Sequence, residues 1–232
     1  MRNGIRVFLP SVYYPVILII SGIYFLIDHD IFMYSPEVRN FNNIIVSMDS
    51  SYFISPLQGV VVFIPLFLGG YFIINKNRNI MPEIIEPRFS KFQYFTIDIW
   101  LYSIHTLITT LSIMFMAFLA CLIHGEVYNA EMITGSFILK FLYCMCLSMI
   151  LEIGHIFKLK AALWCSVVYI AVAAEFVLTY YFNIIPGILF PYAFFRVDKA
   201  ISYIILLVSM LGLIVVYILC KGRLQEFLGE KK

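Results

Sequence analysis

The sequence predicts an all-α, polytopic integral membrane protein with six transmembrane helices. Three observations carry this reading. Of 232 residues, 62% are apolar or aromatic and only 13% are charged, whereas soluble domains hold roughly 45–50% and about 25%. Mean hydropathy is +0.93. The charges gather between long apolar runs, each near the ~20 residues a helix needs to cross a bilayer. A soluble chain of this length has no place to hide so much apolar surface. The composition therefore excludes a soluble enzyme, a disordered chain and a nucleic-acid-binding module. A formal net charge of +2 offers nothing to a polyanion.

The predicted spans are 7–27, 50–75, 92–124, 132–157, 161–182 and 200–220, in one transmembrane domain covering 1–232. The first, second and last are free of charge. The first is too long for a typical signal-peptide core and no small-x-small cleavage site follows it, so it reads as a retained anchor. The third holds Asp98 with His105 and His124, the fourth holds Lys140 and Glu152, and the fifth holds Glu175. No internal repeat or low-complexity tract is visible.

Lysine and arginine set the orientation. With both termini cytoplasmic, Arg2, Arg6, Lys76, Arg78, Arg88, Lys91, Lys158, Lys160, Lys221, Arg223, Lys231 and Lys232 lie inside. Only Arg39, Arg196 and Lys199 lie outside. This bias fits the plasma membrane of a bacterium, that is, its cytoplasmic membrane. Residues 76–91 form the most mixed-charge cytoplasmic segment. Residues 183–198 are apolar and aromatic but broken by Pro186, Gly187 and Pro191. A helix cannot run through them, and a solvated loop would not be so apolar. The segment reads as a re-entrant outer hairpin between helices five and six, covered by protein or lining a cavity.

Ionisable groups inside spans are costly and call for an explanation. In the fourth span Lys140, Cys144, Ser148, Glu152 and His155 recur at helical spacing and form one polar stripe. The stripe reads as a substrate or ion path, or as a set of interhelical hydrogen bonds and ion pairs. By helical rise, Lys140 and Glu175 lie at similar depth, as do Asp98 and Glu152. Asp98, Leu101, Tyr102 and His105 share one face of the third span. His105 reads as part of a proton relay with Asp98, or as a hydrogen-bonded interior histidine. The many tyrosines near span ends, including Tyr13, Tyr14 and Tyr71, fit an interfacial aromatic belt.

Several chemistries have no signature here. No HExxH motif or paired histidine ligands are present. No GxxxxGK[ST] or GxSxG occurs. The five cysteines, Cys121, Cys144, Cys146, Cys165 and Cys220, lie in apolar stretches without a CxxC. They read as buried reduced thiols.

The segment after Lys76 contains Pro82, Glu83, Glu86, Arg88, Ser90 and Lys91, and a long helix with Asp98 and His105 follows. Together with the six-span topology, this resembles the membrane subunit of a type-2 ABC exporter. Phe190, Pro191 and Tyr192, beside Pro186 and Gly187, resemble that family's re-entrant hairpin. The small size is similar to permeases of bacteriocin or lantibiotic export and immunity systems. The topology covers nearly the whole chain, the motifs about a quarter of it. Pro87 departs from a smooth helix in the first motif.

The resemblance implies several things. Residues 76–91 would dock on a separate ATPase subunit, where ATP and Mg bind, so this chain would bind no cofactor and hydrolyse nothing. A second permease copy, or a homologous one, would complete the path within membrane lipid. The substrate would be a peptide or an amphipathic, lipid-like molecule. The hairpin would serve as the outer gate. Competing readings are an ion-coupled secondary carrier using Lys140, Glu152 and His155, an intramembrane enzyme, and an accessory membrane subunit.

Overall fold

The computed structural model describes residues 11–34, 58–80, 91–123, 130–157, 159–180 and 200–229. Every regular element among them is helical. The helices are α1 (Tyr13–Tyr34), α2 (Ile64–Ile80), α3 (Lys91–Ile123), α4 (Ala130–Ile156), α5 (Ala161–Tyr180) and α6 (Ala200–Gly229), and a π-helical turn, Gly59–Phe63, leads directly into α2. Five of these helical stretches are long and apolar enough to cross a membrane. The apolar part of α1, Tyr13–Ile27, is shorter; residues 7–10 of the predicted first span lie outside the described residues.

The π turn is not predicted by hydropathy, and Pro65 accounts for it. Proline has no N–H and its ring clashes with the carbonyl four residues earlier. Widening the preceding turn relieves both problems. The Ile64 N–H accordingly donates to the Gly59 carbonyl, five residues back. In α1, Pro15 sits in the first turn, where its missing N–H would have no helical partner anyway. At the far end of the chain, α6 continues beyond the predicted end of its span at Cys220 as far as Gly229.

Helix α4 is the axis of the bundle and packs against α6, α3 and α5; α1 lies along α3, and α2 touches α3 and α5. Two thirds of the membrane stretch of α2 and of α4 is buried (67% each), against 17% for α5 and 11% for α6. The outer helices show the solvent what lipid accepts: Leu163, Val167, Ile170, Leu207, Leu211 and Leu219 are exposed. Beside its apolar core the interior also holds Asn75, Asp98, His105, Thr106, Ser136, Lys140, Ser148 and Glu152. An apolar exterior around a core that mixes apolar and polar side chains fits a multi-pass membrane protein.

Small residues let the helices close. The α4–α5 corner is tight: the Leu159 N–H donates to the Gly154 carbonyl at 3.2 Å. The Trp164 indole covers Gly154, where a Cβ would collide with it. Its Nε1–H donates to the Ile150 carbonyl at 3.2 Å. Of the predicted link at 158–160, Leu159 and Lys160 lie in this corner, and Lys158 lies outside the described residues. On α2, Gly69 and Gly70 admit the rings of Tyr13 and His105.

Candidate functional site

The polar stripe of α4 is interior. Lys140, Cys144, Ser148 and Glu152 are each no more than 1% exposed, and His155 is half-buried. Ser136 extends the stripe by one turn towards the helix start and is also fully buried. The stripe meets polar groups of other helices at several levels.

The first level lies where α2 ends, α3 begins and α4 ends. The phenols of Tyr71 on α2 and Tyr102 on α3 both donate to Glu152 Oε1 on α4, that of Tyr71 at 2.7 Å. Their rings stack with centroids 5.5 Å apart, which fixes the two hydroxyls side by side above one acceptor. One turn further along both α2 and α4, Asn75 Nδ2 meets His155 Nδ1 at 3.5 Å. One turn earlier on α3, Asp98 Oδ2 accepts from the Tyr217 phenol of α6 at 2.9 Å. Four helices are therefore joined at this end by hydrogen bonds to two buried carboxylates, Glu152 and Asp98.

The second level is His105. Its Nε2 approaches the Phe67 carbonyl at 3.2 Å. A carbonyl only accepts, so Nε2 carries the proton and Nδ1 accepts from the Tyr14 hydroxyl at 3.3 Å or that of Thr109 at 3.4 Å. The ring stacks on Phe67 with centroids 5.3 Å apart. The Tyr13 phenol donates to the Leu66 carbonyl at 3.0 Å. His105 thus joins α1, α2 and α3, while Asp98 turns to α6. The interior-histidine reading describes these contacts; the Asp98–His105 relay has no direct counterpart in them.

The third level lies nearer the start of α4. Lys140 Nζ donates to Ser136 Oγ at 2.5 Å. Cys144 faces Thr110 of α3, whose hydroxyl falls short of full hydrogen-bond geometry there. Cys146 turns the other way, its thiol donating to the Leu206 carbonyl of α6 at 3.6 Å. The predicted separation of these cysteines onto different faces is observed, and all five thiols are free. Glu175 of α5 lies near Tyr143 and is half-buried. Among the described residues no group of three or more His, Cys, Asp or Glu is placed to hold a metal.

Of the predicted site residues, Asp98, His105, Lys140, Ser148 and Glu152 are buried and His155 is half-buried on α3 and α4, at separate levels and with different partners. Glu175 stands apart on α5. Lys91 opens α3. Pro82, Glu83, Glu86, Arg88 and Ser90 of the predicted coupling segment lie outside the described residues. So do Pro186, Gly187, Phe190, Pro191 and Tyr192 of the hairpin.

The sequence reading missed the tyrosines. Tyr71 is 1% exposed and Tyr102 and Tyr217 are as deeply buried; Tyr71 belongs to the interior network, not to an interfacial belt. Tyr13 and Tyr14, half-buried, likewise reach inward to Leu66 and His105. The available signal was spacing: Tyr71 lies one turn from Asn75, Tyr102 one turn from Asp98, and Ser136 one turn from Lys140. No family model, no curated protein and no solved structure matches this chain.

Proposed function

We propose that this chain is the membrane-spanning permease subunit of an ABC-type exporter, moving a peptide or an amphipathic, lipid-like substrate. In this reading six helices cross the plasma membrane with both termini in the cytoplasm. A separate ATPase subunit binds ATP and Mg and docks on residues 76–91. A second permease copy, or a homologous one, completes the path at the interface, and the 183–198 hairpin gates its outer end.

The observation that carries the reading is the polar knot beside the charged segment. The charged segment includes the end of α2, a helix that carries Tyr71 and Asn75, and Lys91 at the start of α3, a helix that carries Asp98 and Tyr102. Those four side chains are tied to α4 and α6 through Glu152, His155 and Tyr217. A force applied to the segment would reach the centre of the bundle through buried hydrogen bonds and not through a slack loop. That suits a segment pushed by an ATPase. Such a push does work only if ATP binds one state of the assembly better than the other.

The test is co-purification. The tagged chain, taken from its native membrane in mild detergent, should bring an ABC ATPase with it, together with ATPase activity. Purification alone, or with partners that hydrolyse no ATP, would overturn the proposal and favour a carrier or an accessory subunit.

A further inference from the structure

Helix α5 carries a carboxyl that the fold leaves without a partner. Glu175 lies within the apolar stretch Ala161–Leu178 and is half-buried. Its Oε1 is enclosed yet accepts no hydrogen bond. Among the described residues no hydrogen bond or ion pair holds the side chain. A carboxylate inside the hydrocarbon layer is costly unless it meets a cation or takes up a proton.

The surface around Glu175 favours a cation brought by another helix. Only 17% of the membrane stretch of α5 is covered by the bundle. Leu163, Val167, Ile170 and Ala174 recur four, three and four apart and form one exposed face. Glu175 stands at the border of that face, beside Ala174 and one turn beyond Ala171, and both alanines are exposed. Side chains this small let a second helix bring its backbone close. A long basic side chain on that helix then reaches the carboxyl without leaving the membrane. A second copy of this chain offers no such cation from its own spans. Lys140 is the one Lys or Arg in any predicted span, and it is 1% exposed.

We infer that Glu175, with Ala171 and Ala174, docks the transmembrane helix of a different chain, one that carries a lysine or arginine within its apolar span. The surface requires only that α5 crosses a membrane, so its fate is separate from that of the ATPase partnership.

The test is energy transfer in liposomes between the labelled full chain and a polyleucine transmembrane peptide. One peptide carries a single lysine between its centre and one end; matched peptides carry leucine or glutamate there. The lysine peptide should bind about tenfold more tightly than the leucine peptide, the scale of a polar contact between membrane helices. The glutamate peptide should show no gain over leucine. Glu175→Gln, which removes the charge and keeps the shape, should bring the lysine and leucine peptides to equal binding. Ala171→Leu combined with Ala174→Leu alters only exposed positions, so the bundle should fold and its affinity for the lysine peptide should fall several-fold. Equal binding of the lysine and leucine peptides by wild type would overturn the inference, and is the result if Glu175 only holds a proton. A lysine preference that survives Glu175→Gln, or full affinity in the double leucine variant, would also overturn it, by placing the contact elsewhere.

Discussion

Tyr71 and Tyr102, from different helices, donate to the same oxygen of Glu152. Sharing one acceptor makes the two phenols interdependent. Either alone still satisfies that oxygen; without both, a buried carboxylate oxygen loses its tyrosine donors. Tyr71→Phe and Tyr102→Phe should each lower stability by about 1.5–3 kcal/mol, the range for hydrogen bonds to charged groups. The double variant should lose more than the two single losses combined. Thermal or denaturant unfolding in detergent measures this, and strict additivity would show that the phenols act separately.

Glycines make a second, contrasting prediction. A Cβ on Gly70 would collide with the His105 ring, which is pinned by the Phe67 carbonyl. A Cβ on Gly154 would collide with Trp164, pinned by the Ile150 carbonyl. Gly70→Ala and Gly154→Ala should each cost about 1–3 kcal/mol, as overpacking does. Gly212 has open space around it, and Gly212→Ala should be neutral or gain about 0.5–1 kcal/mol. The same unfolding assay checks all three, and a stable Gly70→Ala protein would mean that α2 and α3 stand further apart than described.

Lys140 tests whether its part of the stripe holds the fold together. Its ammonium is buried beside Ser136. Replacing a buried charge by an apolar chain of similar volume is often tolerated, so Lys140→Met should stay within about 1.5 kcal/mol of wild type. Lys140→Ala should lose about 2–5 kcal/mol to the cavity it leaves. If methionine proves as damaging as alanine, the ammonium itself is required for folding.

The membrane architecture was legible in composition and spacing. Predicted span edges fall within a few residues of the helix ends for α3, α4 and α5, because charges and prolines mark those ends. The inward stripe of α4 was legible too, since Lys140, Ser148 and Glu152 recur at one face. What spacing does not reveal is which neighbour a face meets. Tyr71 lies near a span end in sequence yet inside the bundle, because α2 is a central helix; hydropathy treats it like any interfacial tyrosine. The π turn at Gly59–Phe63 was equally hidden, since it depends on a backbone conflict at Pro65 and not on side-chain polarity.

The outer hairpin carries a separate functional prediction. If residues 183–198 gate the path, replacing Pro186, Gly187 and Pro191 by alanine should change transport while the chain still reaches the membrane and keeps its ATPase partner. Vesicle transport beside a membrane-fraction immunoblot distinguishes the two. Unaltered transport would remove the gate from the account.

On the proposal that residues 76–91 receive an ATPase, the Glu152 knot would carry its push into the bundle. The most direct measurement is stimulation of the co-purified ATPase by three forms of the chain. Wild type should bind and stimulate it. A variant with Glu83→Lys, Glu86→Lys and Arg88→Glu should fold but fail to bind. Tyr71→Phe combined with Tyr102→Phe should bind and fail to stimulate. Normal binding and stimulation by the charge-reversed chain, or normal stimulation by the tyrosine pair variant, would contradict the account.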